Sequence, residues 1–342
     1  MISCHSVSYI IAEIMSQPSF NFQTLDPETV LDALWNTGIR VESGLTPLNS
    51  YENRVWQFSD EDRVRYVAKF YRPQRWSVDQ LLEEHQFTQE LADANISVAA
   101  PLTYHGTTLQ QVEGIGFALF PSLGGRQYEI DNYEHLEQAA QTLARIHQVG
   151  RQYCFQHRPT LGFDEYFQQP SALLHESSLI PAVLKTDFLD TLTELGKQLA
   201  KVWHTDWEPL RLHGDCHPGN ILWRDQPLFV DLDDARNGPA VQDLWMLVSG
   251  DLNEQRVQWD ILLECYTELT EFNINELSLI EPLRAMRMVY YLAWVVRRWH
   301  DPAFPRAFPW FNEVDFWRRQ IAQMKTQIAL LQSPPSLVMP QF

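Results

Sequence analysis

The 342-residue chain is 45% hydrophobic and 20% charged, an ordinary globular balance with length enough for two domains. Its formal net charge of −18 repels a phosphate backbone and argues against nucleic acid as a partner. Four scattered cysteines, Cys4, Cys154, Cys216 and Cys265, form no C-x-x-C pair and suit a reducing cytoplasm, and no run approaches the roughly 20 apolar residues that a bilayer span needs.

The opening MISCHSVSYIIAEIM has a short apolar run with no Lys or Arg before it and Glu13 inside it, a poor signal peptide. Residues 1–19 are expected to be a poorly ordered extension, with Met15 as an alternative start. Asp26 and Pro27 then open a helix through Val30, Leu31 and Leu34, and Gly38 ends it. From 39 to 70 the texture turns to β, and segments 54–58 and 64–70, separated by turn-forming residues 59–62, predict a hairpin. The polar loop 48–53 before it has no G-x-G-x-x-G glycines, but its backbone N–H groups and the Ser50 hydroxyl could approach a nucleotide.

Val67-Ala68-Lys69-Phe70 resembles the strand that carries the phosphate-binding lysine of protein kinases. A strand lysine is more often a solvated side chain; apolar neighbours and an acidic helix downstream favour the functional reading here. That helix starts at Ser77, with Gln80 completing a capping box, and runs to about Ala94 with Phe87 and Leu91 on its buried face. Glu84 is the expected partner of Lys69, with Glu83 as its rival. Residues 98–101 and 116–121 are predicted as further strands of the same small sheet. Gly124 and Gly125 mark a hinge, with adenine hydrogen-bonded to backbone groups around 119–122.

Beyond the hinge the chain is mainly helical. Leu136, Ala140, Leu143 and His147 recur at helical spacing, as do Phe188, Leu192, Leu195, Leu199 and Val202. His147 is expected to be a core or helix-end histidine. Val314, Trp317, Ile321, Met324, Ile328 and Leu331 give the last helix one apolar seam, which is expected to pack on the lobe rather than to form a dimer. The expected division is an N-terminal nucleotide-binding lobe over 20–121, a C-terminal catalytic and substrate lobe over 122–332 and a loose tail over 333–342.

Those helices are interrupted by RLHGDCHPGNILWRDQPLFVDLDD, residues 211–234. It places His213, Asp215 and Asn220 in a loop and predicts a β-hairpin, over 221–223 and 228–230, that ends in Asp231. A hydroxyl nucleophile needs a carboxylate to take its proton, and Mg2+ on ATP needs hard oxygen ligands. Asp215 fits the first role; Asn220 and Asp231 fit the second. A zinc reading of His213, Asp215 and His217 suffers from Pro218-Gly219, which ends any strand. A haloacid dehalogenase-like phosphatase reading of residues 229–233 lacks the small hydroxyl residue and alternating strands that should follow. Asp233 and Asp234 are expected to be polar loop residues, with Asp233 a secondary metal or substrate contact. Cys216 is read as a filler in a tight loop rather than an oxidant sensor.

The 213–220 loop is similar to that of aminoglycoside phosphotransferases, choline kinases and homoserine kinases, with Gly214 where eukaryotic protein kinases have Arg. Asp243-Leu244-Trp245 resembles that superfamily's Asp-Leu-Ala element, whose Asp braces the loop. LNSYENRVWQF, VAKFYRP, EEHQF, HGDCHPGNILWRD, FVDLDDARNGPAVQDLWML and LIEPLRAMRMVYYLAW together resemble the bacterial stress response kinase A family over nearly the whole chain. The resemblance implies an α+β, two-lobed protein kinase-like fold and a cytoplasmic, monomeric, ATP- and Mg2+-dependent Ser/Thr protein kinase that limits damage linked to reactive oxygen species. It implies Ser50 at the ATP site, Asp215 and Asp231 as the active-site aspartates, and Asn220 and Asp231 on magnesium. Gly214 implies no activation through a phosphorylated loop. A cleft formed by Asp215, Asp231, Asp233 and Asp234 is expected to favour a cationic acceptor. A small-molecule hydroxyl kinase and a non-catalytic nucleotide-binding regulator remain the alternatives.

Overall fold

The computed structural model describes residue 22 and residues 24–337. The expectations for residues 1–19, Met15 and the last residues of the tail lie outside them.

The first element, α1 (Pro27–Asn36), begins where Asp26 accepts the Thr29 N–H and ends before Gly38 at φ +92°. Strand β1 (Thr46–Pro47) leads to the hairpin of β2 (Arg54–Ser59) and β3 (Arg65–Phe70), whose register sets Val55 opposite Lys69. Asp60 closes the turn by accepting the Asp62 and Val64 N–H groups. Helix α2 (Val78–Asp93) carries the expected capping box between Ser77 and Gln80. Strands β4 (Gln110–Val112) and β5 (Ile115–Pro121) complete an antiparallel sheet in the order β1-β2-β3-β5-β4. Its core joins Val30 and Leu34 to Phe58, Phe70 and Phe117, the last two rings stacked at 4.8 Å.

Residues 98–101 do not join that sheet. Val98 makes an isolated parallel bridge with Phe229, and the Leu102 N–H donates to the Leu119 carbonyl. Pro101 has no N–H for a ladder, so the segment ties the sheet to the part that follows.

That part is helical around two small sheets. Strand β6 (Arg126–Gln127) precedes α3 (Tyr133–Gly150), and a π-helical turn at 164–168 leads into α4 (Gln169–Glu176) and the long α5 (Ala182–Val202). Strand β7 (Leu210–Leu212) enters the central loop. The hairpin β8 (Ile221–Arg224) and β9 (Gln226–Phe229) leaves it, turning tightly at Asp225, and β10 (Arg236–Gly238) returns to pair with β7. Then come α6 (Val241–Leu244), α7 (Leu252–Thr267), α8 (Ile280–Arg298), α9 (Ala303–Ala307) and α10 (Val314–Gln332). The α10 seam packs within the lobe: Trp317 and Met324 are fully buried, with the Trp317 ring edge-on to Phe188 of α5.

The molecule is the two-lobed α+β fold expected. No helix among the described residues is long and apolar enough to cross a membrane.

Candidate active site

The loop after β7 is held from beneath by Asp243. Its Oδ2 accepts the His213 N–H at 2.8 Å and His147 Nε2 at 3.1 Å, and its Oδ1 accepts the Gly214 N–H at 2.9 Å. Burial alone would raise this carboxyl; the His147 hydrogen bond and the neighbouring imidazoles and Gly214 amide outweigh it and hold the group below the usual carboxylate range. His147 is thus a core histidine, fully buried between Asp243 and the Tyr266 hydroxyl. His213 donates from Nε2 to the Val230 carbonyl and accepts the Asp215 N–H at Nδ1, while His217 Nδ1 accepts the Gly219 N–H. Both His213 nitrogens are engaged, so the loop is a folded turn rather than a zinc-binding strand face.

Gly214 takes φ +87°, and a Cβ added there would meet the Asp234 carbonyl oxygen at 2.1 Å. The arginine of eukaryotic protein kinases has no room at this position. A guanidinium arrives from elsewhere: Arg287 of α8 donates from Nη1 to Asp215 Oδ1 at 2.7 Å. Sequence reasoning missed it; an arginine within the apolar periodicity of α8 was the available signal. Asp215 is not sealed in an apolar interior, its side chain being 28% exposed with His217 Nε2 3.5 Å from Oδ2. Cys216, by contrast, is fully buried, and burial first, then Asp243 and Asp215, push its thiol well up. It stays protonated, as a filler should.

The hairpin brings the two proposed cation ligands together. The Val230 N–H donates to the Asn220 carbonyl at 3.0 Å, and the Asn220 side-chain amide donates to the Asp215 carbonyl, leaving its oxygen as an acceptor. Asp231 turns back with φ +62° and ψ +60°, a conformation Asp tolerates better than most residues. Its half-exposed carboxylate meets Lys69 Nζ at 2.6 Å, and Lys69 lies 3.3 Å from Asp233 Oδ1. Burial would lower the lysine, but Asp231, Asp233 and Glu84 raise it, so it stays charged.

Lys69 and Glu84 do not form the expected ion pair. The Glu84 carboxylate accepts from the Thr88 hydroxyl at 3.0 Å, and its Oε2 has no hydrogen-bond partner among the described residues, although Glu84 still lines the cleft beside Lys69. Glu83 is no rival, because it accepts the backbone N–H groups of Gln156, His157 and Arg158.

Asp233 and Asp234 lie in the turn that leaves the hairpin, and both are held by ion pairs. Asp233 is 3% exposed; its Oδ2 accepts from Asn53 and Arg75, and its carbonyl accepts from Arg158 at 2.7 Å. Asp234 pairs with Arg75 at 2.8 Å and Arg236 at 3.1 Å. The expected acidic cleft is therefore not one: each of its four carboxylates already has a basic partner. Apart from Arg236, two residues from Asp234, the cations answering them lie far away in sequence, so spacing near Asp233 carried no sign of them.

Between the lobes lies a cleft of about 430 Å3, within the range of small-molecule sites. Val55, Val67, Leu222 and Leu228 give it an apolar body; Lys69, Asn220 and Asp231 gather polar groups at one end. Ser50 is in its wall, with Oγ accepting the Asn53 N–H at 3.3 Å. At the hinge the Leu119 carbonyl already accepts from Leu102 and the Ser122 N–H donates to Arg65, while residues 120–124 line the cleft. Among the described residues no three His, Cys, Asp or Glu side chains gather as a self-sufficient metal site. One amide oxygen and one carboxylate suit a hard cation whose remaining ligands are phosphate oxygens and water.

The sequence profile of the phosphotransferase enzyme family matches residues 44–272. The chain is 56% identical to stress response kinase A of Escherichia coli (strain K12) over 328 residues, 96% of this chain and 100% of that one. It is 55% identical, over the same shares, to a serine/threonine protein kinase of Salmonella typhimurium (strain LT2). Among solved structures, an amicoumacin kinase in complex with AMP-PNP, Ca2+ and Ami superposes with a TM-score of 0.68 at 18% identity, covering 93% of this chain and 96% of that one. At that identity the likeness establishes the fold alone.

Proposed function

Because the chain belongs to the phosphotransferase enzyme family, among the stress response kinase A proteins, we propose that it transfers the γ-phosphoryl group of ATP to a Ser or Thr hydroxyl of a protein substrate in a bacterial stress response. The observation that carries this reading is the meeting of Lys69, Asn220 and Asp231, from two distant segments, at one end of the interlobe cleft, with Asp215 tied to it through its carbonyl, which accepts from the Asn220 side-chain amide.

Residues 20–121 form the nucleotide lobe and 122–332 the catalytic and substrate lobe. Adenine lies among Val55, Val67, Leu222 and Leu228 and reaches hinge backbone beyond Leu119; Ser50 and the loop 48–53 cover the phosphates. Lys69 neutralises phosphate charge, and Glu84 keeps a carboxylate within reach of it. The side-chain oxygens of Asn220 and Asp231 hold Mg2+, which when bound offsets the negative charge of the outer phosphates. Asp215 accepts a hydrogen bond from the acceptor hydroxyl and takes its proton as the new oxygen–phosphorus bond forms and the bond from the γ-phosphorus to the bridging oxygen breaks, releasing ADP. His213 and Asp243 keep Asp215 in place through the loop backbone, and Asp233 positions Lys69. The protein works as a monomer in the cytoplasm.

The test is phosphate transfer from labelled ATP with Mg2+ to basic proteins, aminoglycosides, choline and homoserine. Asp215→Ala should lower turnover about 10²- to 10⁴-fold with the fold intact, and Asp231→Ala should raise the Mg2+ concentration needed for any remaining turnover. Turnover of a small alcohol alone would replace the protein acceptor by a small-molecule one. ATP binding without any transfer would mark a regulator instead.

A further inference from the structure

The acceptor must bring its hydroxyl to Asp215, and the charge there is not what a row of aspartates suggests. Asp231 is taken by Lys69, Asp233 by Lys69 and Arg75, and Asp234 by Arg75 and Arg236. Asp215 itself is bound at Oδ1 by Arg287. A cationic acceptor would find its counterions already paired and would have to displace a guanidinium to gain one.

Arg287 is differently placed. Its side chain is 41% exposed, and its other polar contact is a weak one, from the same Nη1 to the Met246 sulfur at 3.8 Å. A guanidinium has five N–H donors in a rigid fork. Nη1 is used here, and the Nε and Nη2 donors have no protein partner among the described residues. They belong to a half-exposed side chain held beside the carboxylate that takes the proton. This is the shape that grips a carboxylate or a phosphate in two parallel hydrogen bonds.

Resting on the kinase reading above, we propose that Arg287 is the specificity-determining residue of the acceptor site and selects hydroxyls that carry an anionic group close by. The anion takes the free donors of the fork, and the hydroxyl then lies against Asp215. The same geometry serves a Ser or Thr next to Asp, Glu or a phosphorylated residue and a small hydroxy acid; the test separates the two. Long-range repulsion from a chain of net charge −18 does not cancel this contact, because it is screened beyond about 8 Å at physiological salt whereas the fork acts at hydrogen-bond distance.

The experiment compares matched acceptors: Ser peptides flanked by Asp and Glu or by Lys and Arg, and small hydroxy acids against amino alcohols. In the wild type, kcat/KM should favour the anionic member of each productive pair by about tenfold or more, the scale of one charge-assisted hydrogen bond. Arg287→Ala should erase the preference chiefly through KM, Arg287→Lys should retain part of it, and Arg287→Glu should invert it. Melting temperatures of the variants should stay near wild type, since the side chain is exposed.

A preference for the cationic member, or a uniform fall in kcat with the preference intact in Arg287→Ala, would overturn the proposal and leave Arg287 as a support for Asp215. No transfer to any member would instead overturn the kinase reading on which it rests.

Discussion

A carboxylate buried as deeply as Asp233 costs several kcal/mol unless cations and hydrogen bonds meet it. Lys69, Arg75 and Asn53 meet the carboxylate itself, and Arg158 adds its charge from the adjacent backbone carbonyl. Burial pushes the carboxyl up, but the three cations and the Asn53 amide outweigh it and leave it below the ordinary carboxylate range. Asp233 therefore contributes stability in full above the unfolded carboxyl pKa of about 4, and this is lost as pH falls through the depressed folded value. Asp233→Asn should cost about 3 kcal/mol at pH 7 by urea unfolding, and below about pH 4 its stability should decline less steeply than the wild type's. An unchanged acid slope would mean that another group drives acid unfolding. The grouping of Asp215, Asn220 and Asp231 was legible because they fall within one loop and hairpin. The ion partners of Asp233 were not legible, because Arg75 and Arg158 stand 158 and 75 residues away.

At the scale of elements, the loop 48–53, which the proposed function sets over the phosphates, has no glycine and is held from outside. Glu52 accepts from Arg298 at 2.7 Å and Trp294 Nε1 at 2.6 Å and pairs with Arg72 at 3.1 Å. Asn53 accepts the Arg72 N–H at 3.0 Å and donates to Asp233. The loop is thus pinned to α8 as well as to its own sheet, which replaces flexibility with preorganisation. Glu52→Gln, which keeps the shape and removes the charge, should raise KM for ATP about tenfold, the equivalent of one charge-assisted hydrogen bond, with a smaller change in kcat. Faster nucleotide release in stopped flow would accompany it, and an unchanged KM would show that the loop needs no such anchor. Elements with local determinants were readable: the Ser77 and Gln80 capping box and the Asp60 turn rest on neighbours. Residues 98–101 were read as a sheet strand because β texture does not say which edge a strand finds, and Phe229 offered one in the other lobe.

The whole molecule depends on how its lobes are fastened. The change of texture from strand to helix made two lobes legible, but not their attachment, since Arg54 and Asp301 are 247 residues apart. Asp301, between α8 and α9, accepts from Arg54 at 3.0 Å and Arg72 at 2.8 Å, and it also accepts the Ala303 N–H. Asp301→Asn keeps the bond to Ala303 and strands two arginines at the lobe interface. The expected loss is about 3 kcal/mol, the low end for breaking a buried pair, because Arg54 is partly exposed. Replacing the Arg72 and Asp301 pair together, as Arg72→Met with Asp301→Leu, should recover part of it, since well-packed apolar residues often match a buried ion pair in stability while Arg54, Glu52 and the Ala303 N–H still lose a partner. The double variant separates fastening from geometry. Urea unfolding near wild type with KM for ATP still raised would show that these charges set the angle between the lobes rather than their cohesion. Wild-type stability in Asp301→Asn alone would show that the lobes are joined by apolar packing and that this ion pair is incidental.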